Sequence, residues 1–302
     1  MTVRWNGEPT LRRPALVAAF SGWNDAADGA TDAVRWLART SSAREFATLE
    51  IEEYVDFQAS RPTVELVDGV VRGIEWPTLT FSAGSVGTRD LVLLLGVEPN
   101  LRWRTFCDDV LSVARVTGCE LIVTLGALLG DTPHTRPIKC TGSATDAVLA
   151  ARLGMQRSRY EGPTGIVGVL HDAVRRANFA SASIWAPVPH YVGTPPNPKA
   201  SRALLDRLRD LLDLDLDLTD LDIAASAWER SVSEVVAGDA DVRNYVERLE
   251  ARFDASEDEP WLGDDTDEEE EEEEEDWLDE DDLPSGESLA EDFERYLRDQ
   301  DT

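Results

Sequence analysis

The sequence predicts an α/β domain on a mostly parallel sheet, followed by C-terminal helices and a disordered acidic tail. Three observations point there. Short apolar runs alternate with stretches of helical spacing, the pattern of strands joined by right-handed crossovers. Two amphipathic stripes follow the last run. The excess negative charge is concentrated beyond them.

The first run, ALVAAF (15–20), is continuous, as in a strand buried on both faces. It leads into Ser21, Gly22, Trp23, Asn24 and Asp25. Asn24 or Asp25 is placed to cap a helix carrying Ala26, Ala30, Ala33, Val34 and Leu37. Two strand-like stretches, 51–57 and 63–76, come next. Asp68-Gly69 within the second is a hairpin signal that adds an antiparallel piece at one edge or end. LVLLLG (91–96) is a second buried strand with a helix over 101–116. ELIVTLGALL (120–129) is a third. A glycine-rich lead into a helix spans 162–179, and SASIWAPV (181–188) is a fourth strand. Asn197-Pro198 caps a helix running to Leu212. One stripe then holds Leu221, Ala224, Trp228, Val232 and Val235. Another holds Val242, Tyr245, Val246, Leu249 and Phe253.

Charge divides the chain. Of its 302 residues, 60 are acidic and 29 basic, for a net −31. From Asp254 onward there are 26 acidic residues and two arginines; the rest of the chain holds 34 acidic and 27 basic, an ordinary balance. Residues 1–253 therefore read as the α/β domain with its helical segment, and 254–302 as a tail too charged to bury a core. Such a balance argues against nucleic acid and against an anionic membrane as partners. No apolar run reaches the roughly 18 residues of a bilayer span. The first residues lack a signal-peptide pattern, and Cys107, Cys119 and Cys140 form neither a disulfide framework nor a zinc pattern. A cytoplasmic protein without metal or cofactor is expected.

Ligands of parallel sheets gather beyond the carboxyl ends of the strands. Four places qualify. Ser21, Gly22, Trp23, Asn24 and Asp25 follow the first strand; a glycine turn feeding a helix can hold an anion, but Asn24 and Asp25 serve equally as caps. Gly126, Asp131, His134 and Arg136 lie in or after the third, the densest polar cluster before the tail. A His beside a carboxylate suits base catalysis, whereas the flanking prolines suit a fixed structural loop. His190 follows the fourth strand and completes a Ser21/His190/Asp131 set, though without a GxSxG elbow. Glu161 reads as a loop carboxylate, and His171 as an exposed helical residue. In the tail, Trp261-Leu262, Trp277-Leu278 and a short helix over 288–298 presenting Leu289, Phe293, Tyr296 and Leu297 are apolar anchors in negative charge. They fit a segment that folds on a basic partner, and equally a solubilising tail whose apolar residues are incidental.

Six ordered segments carry a resemblance: SGWNDAADGATDAVRWL (21–37), YVDFQASRPTVELVDG (54–69), VEPNLRWRTFCDDVL (97–111), TLGALLGDTPHTRPI (124–138), SRYEGPTGIVGVLHDA (158–173) and WAPVPHYVGTPPNPKA (185–200). Together they resemble the proteasome assembly chaperone family, in its high-GC Gram-positive branch. The resemblance implies a three-layer α/β/α sandwich similar to nucleoside phosphorylases and peptidyl-tRNA hydrolases. It also implies a protein that binds proteasome α-subunits. Relatives often dock through a C-terminal hydrophobic-Tyr-any ending, which this chain lacks; Tyr296-Leu297 falls five residues too early. The expectation is a non-enzymatic, homo-oligomeric, protein-binding protein of the assembly-chaperone kind, with proteasome subunits as candidate partners. The alternative is a small-ligand binder or enzyme acting on an anionic or nucleoside-like substrate at the strand ends.

Overall fold

A computed structural model of the chain describes residues 2–67, 70–145, 147–153, 156–157, 162–194 and 196–255. The expected tail anchors, the helix over 288–298, Glu161 and the turn residues Asp68 and Gly69 lie outside these.

Four parallel strands form the centre of a nine-stranded sheet. They are β2 (Ala15–Ser21), β7 (Arg89–Val97), β8 (Leu121–Gly130) and β11 (Ala180–Pro189), side by side in the order β7-β2-β8-β11. These are the four apolar runs of the sequence, and β2 is buried along nearly its whole length. On the β7 side the sheet continues antiparallel through β6 (Leu79–Val86), β3 (Arg44–Leu49) and β1 (Val3–Trp5). On the β11 side, β9 (Thr141–Ala144) pairs antiparallel and β10 (Gln156–Arg157) closes the edge.

Helices cover both faces. On one lie α1 (Gly29–Thr40), α4 (Ala147–Leu153) and α6 (Pro198–Leu212). They enclose one core with alternate strand residues such as Val17, Val123 and Ile184. On the other lie α3 (Trp103–Val116) and α5 (Ile166–Arg176), packed on Leu16, Phe20, Leu94 and Ile122. Odd and even residues of one strand thus serve different cores, as the pleat requires, and the three-layer α/β/α sandwich follows. Asn197 caps α6 as expected, its Oδ1 accepting from the Ala200 N–H at 3.0 Å.

Two segments differ from their sequence pattern. Residues 51–57 read as a strand, but Ile51–Tyr54 forms the short helix α2. Tertiary bonding decides it: Tyr54 is fully buried, its hydroxyl donates to Asp109 Oδ2 at 2.6 Å, and its carbonyl accepts from the N–H groups of Asn100 and Leu101. The hairpin signal holds, since β4 (Thr63–Val67) pairs antiparallel with β5 (Val70–Glu75). That pair is a separate two-stranded sheet, not an edge of the main one.

The chain closes with α7 (Thr219–Gly238) and α8 (Ala240–Ala255). Their stripes face the body: Trp228, Val232, Val236, Val242, Val246 and Leu249 bury themselves with Tyr191 and Val192, just past β11. Among the described residues no helix is long and apolar enough to cross a membrane.

Candidate functional site

The turn after β2 is braced from below. Asp25, almost fully buried, accepts at Oδ1 from the N–H groups of Ala30 (2.7 Å) and Thr31 (3.1 Å), and at Oδ2 from the Thr31 hydroxyl. It therefore satisfies the first turn of α1 from outside the usual cap position. Burial raises its pKa above the ordinary carboxylate value, while the Thr31 hydroxyl and the two N–H groups oppose the shift. Asn24, also buried, donates from Nδ2 to Glu98 Oε1 at 2.6 Å, and the same oxygen accepts from Ile166 N–H at 2.9 Å. Glu98, just past β7, so ties the β2 turn to the start of α5. A side chain at Gly165 would fall onto Asn24 and Glu98. Ala27 and Asp28 hold left-handed backbone (φ 50° and 54°), a strained geometry that these contacts impose. Ser21 ends β2 half-buried, its carbonyl accepting from Glu98 N–H. Gly22 and Trp23 are exposed, Trp23 by 68 %.

The polar cluster beyond β8 turns away from that loop, toward α7 and α8. His134 is buried. Its Nε2 lies 3.0 Å from Ser233 Oγ, which itself donates to the Glu229 carbonyl. Its Nδ1 lies 2.8 Å from the Tyr191 hydroxyl, which also accepts the His134 N–H. Only one tautomer fits: Nε2–H donates to Ser233, and Nδ1 accepts from Tyr191. The Lys199 ammonium donates to the His134 carbonyl. Burial and that ammonium push the imidazole pKa down to about 4, so it is neutral at physiological pH. Arg136 grips α8 with a two-pronged bond to Asp254 (2.7 and 2.8 Å) and an ion pair to Glu250 at 3.4 Å. Asp131 and His190 do meet, at 3.4 Å, but on the surface, where Asp131 also accepts from Tyr245 and faces Arg252.

The candidate residues therefore fall into two groups. Ser21, Asn24 and Asp25 brace the β2–α1 turn, with Gly22 and Trp23 exposed on it, whereas Asp131, His134, Arg136 and His190 fasten the helical hairpin. Gly126 has a third role. It pairs in register with Trp185, and a Cβ on it would stand 2.5 Å from the indole. Its lack of a side chain lets that ring lie across the strand.

Beside Trp185 a cavity of about 750 Å³ opens between α5 and the β9–β11 pair. Ser183 and Trp185 stand opposite Ser143 and Thr141 in the ladder, so all four share the sheet face toward α5. From the helix side come Gly168 and His171, with Thr164 just ahead of α5; Trp23, Leu128 and Leu129 stand at the strand ends. His171 Nδ1 lies 3.3 Å from Ser181 Oγ, and Nε2 3.5 Å from Ser143 Oγ. Burial, with help from Arg175, lowers its pKa. The sequence predicts an exposed helical His171, whereas its ring is partly buried against Ser143 and Ser181. Thr164, Gly168 and His171 at near-helical spacing were a signal available there; that β9 would supply Ser143 across from them was not. Among the described residues no group of His, Cys, Asp and Glu is arranged to hold a metal.

The comparisons with known proteins agree with this architecture. No curated protein matches the chain. Among solved structures, a PAC2 family protein from Streptomyces avermitilis is 50% identical, with a TM-score of 0.71, over 77% of this chain and 99% of its own. A proteasome-assembly chaperone homologue from Mycobacterium tuberculosis is 48% identical, with a TM-score of 0.72 and the same coverage. An archaeal proteasome activator from Pyrococcus furiosus, at 18% identity and a TM-score of 0.62, covers 78% of this chain and 98% of its own, and shows the shared fold. The strand-end turns, the Gly126–Trp185 crossing and all but the last two residues of the first closing helix lie within the match over residues 19–236, and on that match the chain belongs to the PAC2 family.

Proposed function

We propose that this chain is a cytoplasmic, non-catalytic protein of the assembly-chaperone kind, binding proteasome subunits and acting as a homo-oligomer. The observation that carries the reading is the near-half identity, over most of the chain, to a protein described as a proteasome-assembly chaperone homologue.

The geometry supplies a surface suited to it. The β4–β5 hairpin stands outside the main sheet and exposes Val64, Leu66, Ile74 and, just beyond it, Trp76, each by half or more. Val64 pairs with Ile74, and Leu66 follows Val64 on the same face. Trp76 is braced edge-on by Phe57 at 4.9 Å. An isolated two-stranded ribbon is marginal in water. Covering this face contributes on the order of 1 kcal/mol per half-exposed side chain, so a partner would order as well as bind it.

The test uses purified proteasome α-subunits with the full chain. Saturable binding or altered ring assembly is expected, weakened by Leu66→Glu with Ile74→Lys at an unchanged melting temperature. The reading is wrong if the full chain neither binds the subunits at micromolar concentration nor changes their assembly.

A further inference from the structure

We propose that the cavity between α5 and the β9–β11 pair is a small-molecule site, selecting an uncharged, flat organic ligand with one hydrogen-bonding edge. The inference is separate from subunit binding.

Size comes first. About 750 Å³ lies within the roughly 300–1,000 Å³ typical of ligand sites. The site stands at the carboxyl end of parallel strands, where open α/β sheets place ligands. Its position has a structural cause: α5 lies over β8 and β11, and beyond it, among the described residues, no helix covers β9 on that face.

The walls define the ligand's body. Trp185 lies flat against the backbone at Gly126 and is pinned at its edge, since its indole N–H donates to Ser183 Oγ at 2.9 Å. A fixed indole face suits a flat ring, which stacks on it at little entropic cost. Trp23, Leu128 and Leu129 are large apolar side chains left exposed at the strand ends. They are the surface a flat apolar body would cover.

The polar groups define its edge. Thr141, Ser143 and Thr164 offer hydroxyls, and His171 an imidazole between Ser143 and Ser181. Burial keeps that imidazole neutral over a wider pH range than a free histidine. Hydroxyls and a neutral imidazole can both donate and accept, so they pair with a hydroxyl or amide edge. Such a lining offers an anion no opposite charge to offset its desolvation.

The full chain is titrated at neutral pH with 2-naphthol, 2-naphthalenesulfonate and naphthalene, following tryptophan fluorescence and calorimetric stoichiometry. One 2-naphthol per chain is expected, with the sulfonate at least about tenfold weaker and naphthalene roughly fivefold weaker for want of the edge. Leu129→Trp, at an exposed position, fills the cavity and is expected to abolish binding. His171→Phe should bring 2-naphthol and naphthalene to nearly equal affinity. If Leu129→Trp is misfolded, Trp23→Ala decides, with an expected loss of several-fold. No saturable 2-naphthol binding, equal affinity for the sulfonate, or binding untouched by the variant that decides would each overturn the proposal.

Discussion

Replacing His134 with glutamine is expected to remove a pH-dependent share of the fold's stability. In the folded chain the imidazole must stay neutral, because Nδ1 accepts from Tyr191 while Nε2 donates to Ser233. A proton on Nδ1 would turn one donor against another and would sit near the Lys199 ammonium, with Glu229 and Glu250 only partly compensating. The folded pKa is about 4, against an ordinary value of 6.5. As pH falls below 6.5, the unfolded chain takes up this proton and the folded chain does not. Stability is therefore complete above 6.5 and declines as pH falls toward 4. At about 1.4 kcal/mol per pH unit the full span amounts to ~3 kcal/mol, of which about 2 kcal/mol is gone by roughly pH 5. Urea unfolding of the full chain and of His134→Gln, compared from neutral pH downward, measures it. The carboxylates titrate in both proteins and cancel in the difference. The wild type should lose its advantage over this window. Parallel pH profiles for the two proteins would refute the assignment of His134 as a neutral structural hub.

Other substitutions probe the strand-end turns and the tail. Asp25→Ala removes three hydrogen bonds from the start of α1 and should cost about 3 kcal/mol in urea unfolding; a cost under about 0.5 kcal/mol would show that another group supplies the cap. Gly126→Ala drives a methyl into the Trp185 indole and should cost roughly 2 kcal/mol, with a shift in tryptophan emission; unchanged emission would mean the ring packs elsewhere. Truncation after Ala255 removes 25 acidic residues and two arginines. It should slow association with a basic protein partner about tenfold in stopped-flow at low salt, a difference that vanishes at high salt; salt-independent rates would exclude an electrostatic role for the tail.

How much of this was legible in the sequence depends on how local the cause is. The four central strands were, because a strand buried on both faces needs an unbroken apolar run, as in ALVAAF and LVLLLG. A cap from Asn24 or Asp25 was, because short polar side chains before a helix meet free N–H groups; that Asp25 takes the role while Asn24 turns to Glu98 was not. Segment 51–57 was misread because the burial of Tyr54 depends on Thr2 and Asp109, far along the chain. Ser21 and His134 look like members of one site because each follows a strand end, and sequence shows that placement but not the direction in which a side chain then turns. The packing of Tyr191 against α7 and α8 turns His134 away from the strand ends.

The same packing bears on where a ligand can sit. Adjacent strands lie about 4.8 Å apart and a helix with its side chains is about 10 Å wide, so each helix covers about two strands. On the face of α1, α4 and α6, three helices extend the cover out to β9, where α4 closes it with Leu149 and Leu153. On the opposite face α3 and α5 end their cover at β11. The hairpin of α7 and α8 does not fill that shortfall, because Arg136 and His134 anchor it past the end of β11, against Tyr191 and Val192. The cavity is thus a consequence of helix count and of where the last two helices are fastened. A polar floor of Thr141, Ser143 and Ser183 is what an uncovered stretch of sheet requires, since an apolar floor would draw in a third helix or a neighbouring chain. The subunit contact proposed at the β4–β5 hairpin, a sheet of its own, and the ligand site proposed beside α5 lie on separate surfaces, so a substitution at either can be made without touching the other.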